Sequence, residues 1–151
     1  MLVYRIAKQK YIKDLTGIGA KTVGGRWNPR GVAVLYTSTT VALSILEVLA
    51  HLPAAYFPDS MAIATIELPD ELTTSIDIKQ LPKDWNRIPP STGIQHFAMN
   101  WISGNTHLGL KVPSIIVPRE QNLLINPLHP DFNLVKLIEI EPFSFDTRLL
   151  K

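Results

Sequence analysis

Residues 41–52, Val-Ala-Leu-Ser-Ile-Leu-Glu-Val-Leu-Ala-His-Leu, constrain the fold more than any other stretch of this chain. Thr39 or Thr40 can cap a helix there, and Pro53 stops it. Leu43, Leu46, Leu49 and Ala50 recur at helical spacing, so the helix is apolar round most of its circumference and should be substantially buried. Between Thr37 and Pro53 there is no Lys or Arg, and Glu47 is the only carboxylate. A charge on such a helix is costly unless it meets partners or faces a polar cleft. Two readings follow. Glu47 either shares a solvated stripe with Ser44 and His51, or stands at the wall of a cleft.

Around this helix the chain reads as short strands with few helices. Residues 2–6 suggest an opening strand, and residues 8–25 a loop-rich entry ending in Gly-Gly. Residues 32–37, Val-Ala-Val-Leu-Tyr-Thr, form a compact run of β-formers, and residues 62–68 and 75–78 suggest further strands. Residues 81–90 hold three prolines and a Trp and read as an ordered surface loop. Ser91 or Thr92 precedes a helix over residues 94–103, closed by Gly104. Residues 112–118 and 122–126 read as two strands about a turn, and residues 135–141 as a late strand with one wet face. The sum is an α+β or mixed α/β chain of 151 residues, the size of one domain (1–151), without repeat or linker.

Several function classes are disfavoured. No apolar run approaches the roughly 20 residues of a membrane span, and the N-terminus lacks the pattern of a secretory signal. A cytoplasmic address is the default expectation. With no cysteine there is no disulfide, thiolate metal site or cysteine nucleophile. His51, His96, His107 and His129 show no metal-binding spacing, and no Gly-x-Ser-x-Gly marks a hydrolase serine. The net charge is +2 and the basic residues are dispersed, so no nucleic-acid footprint is expected.

Four further positions carry potential chemistry. In Gly24-Gly25-Arg26-Trp27-Asn28-Pro29 the glycines permit close backbone approach, and the planar fork of Arg26 suits phosphate or carboxylate oxygens. The bland alternative pairs Arg26 with a core-edge carboxylate and makes Trp27 a packing residue. Tyr36, at a strand end, offers a ring face for a flat heterocycle and a hydroxyl, or is simply core. Ser114 is a small hydroxyl in an apolar run, a place where such groups usually bond local backbone. Asn122 and Asn126 frame a strand, and Asn126-Pro127 reads first as a turn.

Together the blocks resemble the RES domain family, named for an Arg, a Glu and a Ser. Tyr4-Arg5, Gly24-Gly25-Arg26-Trp27-Asn28-Pro29-x-Gly31, Leu35-Tyr36-Thr37-Ser38 running into Ala42-Leu43-x-x-x-Glu47, Val112-Pro113-Ser114, Asn122 to Pro127, and Phe145-Asp146-x-Arg148-Leu149 occur in the family's order. The resemblance implies an α+β fold like that of ADP-ribosyltransferases, a split and bent β core with peripheral helices. It implies NAD as substrate with no separate cofactor or metal, and toxicity neutralised by an Xre-like helix-turn-helix antitoxin. By motif, Arg26, Glu47 and Ser114 inherit the catalytic roles, while Arg5, Arg26 and Tyr36 inherit NAD binding. Ser114 would bond either Glu47 or the nicotinamide ribose. Water, phosphate or a protein are all open as acceptor. A non-catalytic nucleotide- or partner-binding module on the same fold is the alternative. The apolar share is also ample for a homodimer.

Overall fold

The structure, a computed structural model, describes residues 1–53 and 60–150. Among these residues, seven strands and three α-helices follow one another: β1 (Leu2–Lys8), α1 (Ile18–Val23), β2 (Leu35–Ser38), α2 (Val41–His51), β3 (Met61–Glu67), β4 (Thr73–Ser75), α3 (Thr92–Gly104), β5 (Gly109–Pro113), β6 (Gln121–Ile125) and β7 (Lys136–Phe143). The strands form one sheet in the order β4-β5-β6-β2-β1-β3-β7. Only the β4–β5 pair is parallel.

The joint between β1 and β2 decides where a site can lie. β1 pairs with β3 along its whole length, and β2 pairs along its whole length with β6. Yet β1 and β2 meet only at Tyr4↔Ser38. The expected split is therefore a near-break within a continuous sheet: β4-β5-β6-β2 on one side, β1-β3-β7 on the other. Helix α2 lies against the joint, where the Ser44 hydroxyl donates to the Tyr4 carbonyl at 3.1 Å. Thr40 caps α2 by accepting from the Leu43 amide at 3.1 Å, a contact typically worth about 1 kcal/mol.

Alternation along the strands builds an apolar cluster on each face of the sheet. Leu123 and Ile125 of β6 pack with Val3, Ala62, Ala64 and Ile66, whereas Leu124 packs with Leu110, Val112, Trp27 and Trp85. α3 covers that second cluster with Ile94 and Ala98. β7 is an edge strand with a bulge: Thr65 faces Glu139 and Ile66 faces Leu137, so Ile138 is skipped and left 52% exposed. Its wet face is the one the sequence suggested.

Three local expectations are corrected. Residues 18–23 are helical rather than loop, because six residues flanked by Gly17 and Gly24 are too few to show a period. The strand expected at residues 75–78 is β4, ending at Ser75; Ile78–Gln80 is a 3₁₀ turn capped by Asp77 and Gln80. The strand expected at residues 112–118 ends at Pro113, so Ser114 sits just past a strand rather than inside one.

Candidate active site

Gly24 and Gly25 begin the site because no other residue fits there. Gly24 has φ +75°, and a Cβ on Gly25 would come within 2.6 Å of the Tyr36 hydroxyl and 2.9 Å of Asn28 Oδ1. That crowding reflects a closed network. The Tyr36 hydroxyl donates to Asn28 Oδ1 at 2.7 Å and accepts from the Trp27 amide at 3.0 Å. Asn28 Nδ2 donates to the carbonyls of Ala20 and Val32, each at 2.9 Å. From α3, Gln95 Nε2 donates to the Gly25 carbonyl at 2.9 Å. The Gly-Gly-Arg-Trp-Asn stretch is thus a rigid cradle that presents Arg26.

Among the described residues, Arg26 forms no close ion pair. Its Nη1 donates to the carbonyls of Trp85 (2.9 Å) and Arg87 (2.8 Å), tying the surface loop of residues 81–90 to the cradle. Burial lowers its pKa from the usual arginine value, and the charge of Glu47 opposes that shift. Arg5, on β1, uses Nη1 in the same way on the carbonyls of Ile12 and Asp14 at 3.0 Å and of Tyr11 at 3.2 Å. Burial lowers its pKa too, against the pull of Asp14. A guanidinium carries five donors, so each arginine keeps most of its fork for a ligand.

Glu47 is half-buried on α2, and among the described residues both of its side-chain hydrogen bonds end on one oxygen. Oε1 accepts from Ser114 Oγ at 2.8 Å and from Asn122 Nδ2 at 2.6 Å. Ser114 is fully buried, and its oxygen accepts from the amides of Ile116 and Val117, each at 3.1 Å. With two donors pointed at that oxygen, the hydroxyl proton is directed to Glu47. Asn122 is aimed by Ser38, its register partner across β2 and β6, whose Oγ donates to Asn122 Oδ1 at 2.7 Å. Oε2 has no hydrogen-bond partner among the described residues, and Glu47 borders the open side of the joint.

That open side is a cleft of about 520 Å³ where β1 and β2 separate. Arg5, Arg26, Tyr36, Glu47 and Asn122 line it; Ser114 stands behind Glu47 instead. Ser114 bonds Glu47, alongside the local backbone bonds expected of a hydroxyl there. Tyr36 presents only its ring, since its hydroxyl is engaged in the cradle, and burial holds the phenol pKa well above its usual value. The solvated-stripe reading of Glu47 is not realised, because Ser44 is buried against β1 and Glu47 is bonded to Ser114 and Asn122.

Sequence reasoning missed Asn122 and the loop of residues 81–90. Asn122 was legible only as the frame of a strand, and its meeting with Glu47 depends on β2–β6 register. The loop meets Arg26 through backbone carbonyls, which leave no trace in residue identity.

Residues 2–146 match the RES domain. The chain is 38% identical over its whole length to Toxin Res of Photorhabdus laumondii, covering 98% of that protein. It is 38% identical to the Prs ADP-ribosylating toxin of a Sphingobium species, with 91% of this chain and 88% of the relative aligned. Toxin Res of Yersinia enterocolitica is 36% identical, with 99% of each chain aligned. The fold superimposes with a TM-score of 0.75 on a chain from the crystal structure of the M. tuberculosis MbcT-MbcA toxin-antitoxin complex. It covers 95% of this chain and 84% of that one, at 19% identity. The chain belongs to the RES domain family.

Proposed function

We propose that this chain is the toxin of a toxin–antitoxin pair and that it consumes NAD, breaking the bond between nicotinamide and ribose at Glu47. The observation that carries this reading is the convergence of Arg5, Arg26, Tyr36 and Glu47 on one cleft. The names of its RES-family relatives, one of them an ADP-ribosylating toxin, support it.

The chemistry suits the parts. Arg26 and Arg5 offer charge-assisted hydrogen bonds to the diphosphate. The Tyr36 ring offers a π face to the cationic nicotinamide. Departure of nicotinamide takes the electron pair of the C–N bond and leaves a ribose with oxocarbenium character. Glu47 Oε2 then stabilises that positive charge and hydrogen-bonds the ribose hydroxyls, while Ser114 and Asn122 hold the carboxylate in place. The acceptor is water, phosphate or a protein group.

Incubating the purified chain with NAD and identifying the products tests this reading. Free nicotinamide with ADP-ribose, its 1″-phosphate or a labelled protein is the expected result. Titration calorimetry showing NAD binding with no product under any of these conditions would instead favour a binding module. The antitoxin belongs to the same reading, since a structural neighbour is part of a toxin–antitoxin complex. An Xre-like protein encoded beside this chain should co-purify with it and suppress its toxicity.

A further inference from the structure

His51 closes α2 one turn after Glu47 and lines the same cleft. Its Nδ1 lies 2.6 Å from the Glu47 carbonyl oxygen. A carbonyl has only lone pairs to offer, so Nδ1 carries the proton in that contact, and the neutral ring has its free lone pair on Nε2. Side chains four apart on a helix have Cβ atoms about 5–6 Å from each other, so His51 and Glu47 border the same part of the cleft.

The other cleft-lining groups are poorly suited to taking a proton. Burial raises the pKa of the Tyr36 phenol, so it keeps its proton, and the guanidinium groups of Arg5 and Arg26 offer only donors. Asp14 is a weak base, because the hydroxyl and amide of Thr16 hold its carboxyl below the usual range. Glu47 has one oxygen occupied by Ser114 and Asn122, and the proposed mechanism engages the other with the ribose. An exposed imidazole with a fixed tautomer is the remaining candidate among the described residues.

Resting on the NAD reading, we infer that His51 is the general base that activates an O–H nucleophile, water or an alcohol, for attack on the ribose C1″. The C1″–N bond breaks with its electron pair leaving on nicotinamide, the new C1″–O bond forms, and the nucleophile's proton passes to His51 Nε2. Since His51 is exposed, that proton is then lost to solvent.

His51→Asn separates this role from helix capping, because an asparagine amide can still donate to the Glu47 carbonyl but cannot take the proton. Nicotinamide release by H51N should fall about 100-fold or more in kcat, with KM for NAD within about two-fold and an unchanged melting curve. For H51A, added imidazole should restore release in a saturable way, while E47Q should gain nothing from it. Wild-type release by H51N beside a dead E47Q would overturn the role of His51 and leave the NAD reading standing. Loss in H51A that imidazole does not restore would overturn it as well. No release by the wild-type chain would remove both readings together.

Discussion

Glu47 is the residue on which the proposed chemistry turns, and its surroundings say which change should matter. E47Q keeps the shape and removes the charge, so turnover should vanish while the melting temperature stays within a few degrees. Asn122 and Ser114 both donate to Glu47, and in the proposed mechanism they act through it rather than on substrate. N122A and S114A should each lower kcat by about 10–100-fold, or about 1.4–2.8 kcal/mol, with little change in KM, in steady-state assays of nicotinamide release. A variant that raises KM alone would instead place its side chain on the substrate. The sequence singled out Glu47 physically, because a lone carboxylate on an apolar helix needs a reason to be there. Asn122 could not be singled out in the same way: its partners lie 75 and 84 residues away in the chain, on other elements.

At the scale of elements, the cradle of residues 24–28 makes its own predictions. G25A drives a Cβ into the Tyr36 hydroxyl and Asn28, and should cost about 1–3 kcal/mol in denaturant unfolding. Tyr36 gives a pH signature. Its folded pKa is raised by burial, so above about pH 10 the unfolded chain loses the proton first and binds fewer protons than the native state. The contribution is fully present below the unfolded pKa and is lost as pH rises past it. Y36F should remove that alkaline limb from a stability–pH curve. A limb that persists in Y36F would place the titrating group elsewhere. The helix α2 and most strands were legible because their apolar runs are long enough to show a period. α1 was not, since six residues carry too little pattern, and the strand expected at residues 75–78 overlaps the three-residue β4 only at Ser75.

The whole molecule is two half-sheets that meet at Tyr4↔Ser38, with α2 across the joint and the cleft beside it. The family resemblance indicated this split, but composition did not indicate the charge around it. Arg5, Lys8, Lys10, Lys13, Lys21, Arg26 and Arg30 face the single acid Asp14 within residues 1–30. Of these, Arg5, Lys8 and Arg26 line the cleft, where Asp14 and Glu47 are the acids. Raising ionic strength should therefore lower kcat/KM for NAD while kcat changes little, since screening weakens capture of an anionic diphosphate. The central claim is that this cleft breaks the nicotinamide–ribose bond through Glu47. It is tested most directly by timing nicotinamide release from NAD by the wild-type chain and by folded E47Q. Steady release by the first and none above background by the second is the predicted result; equal rates, or no release by either, would contradict it.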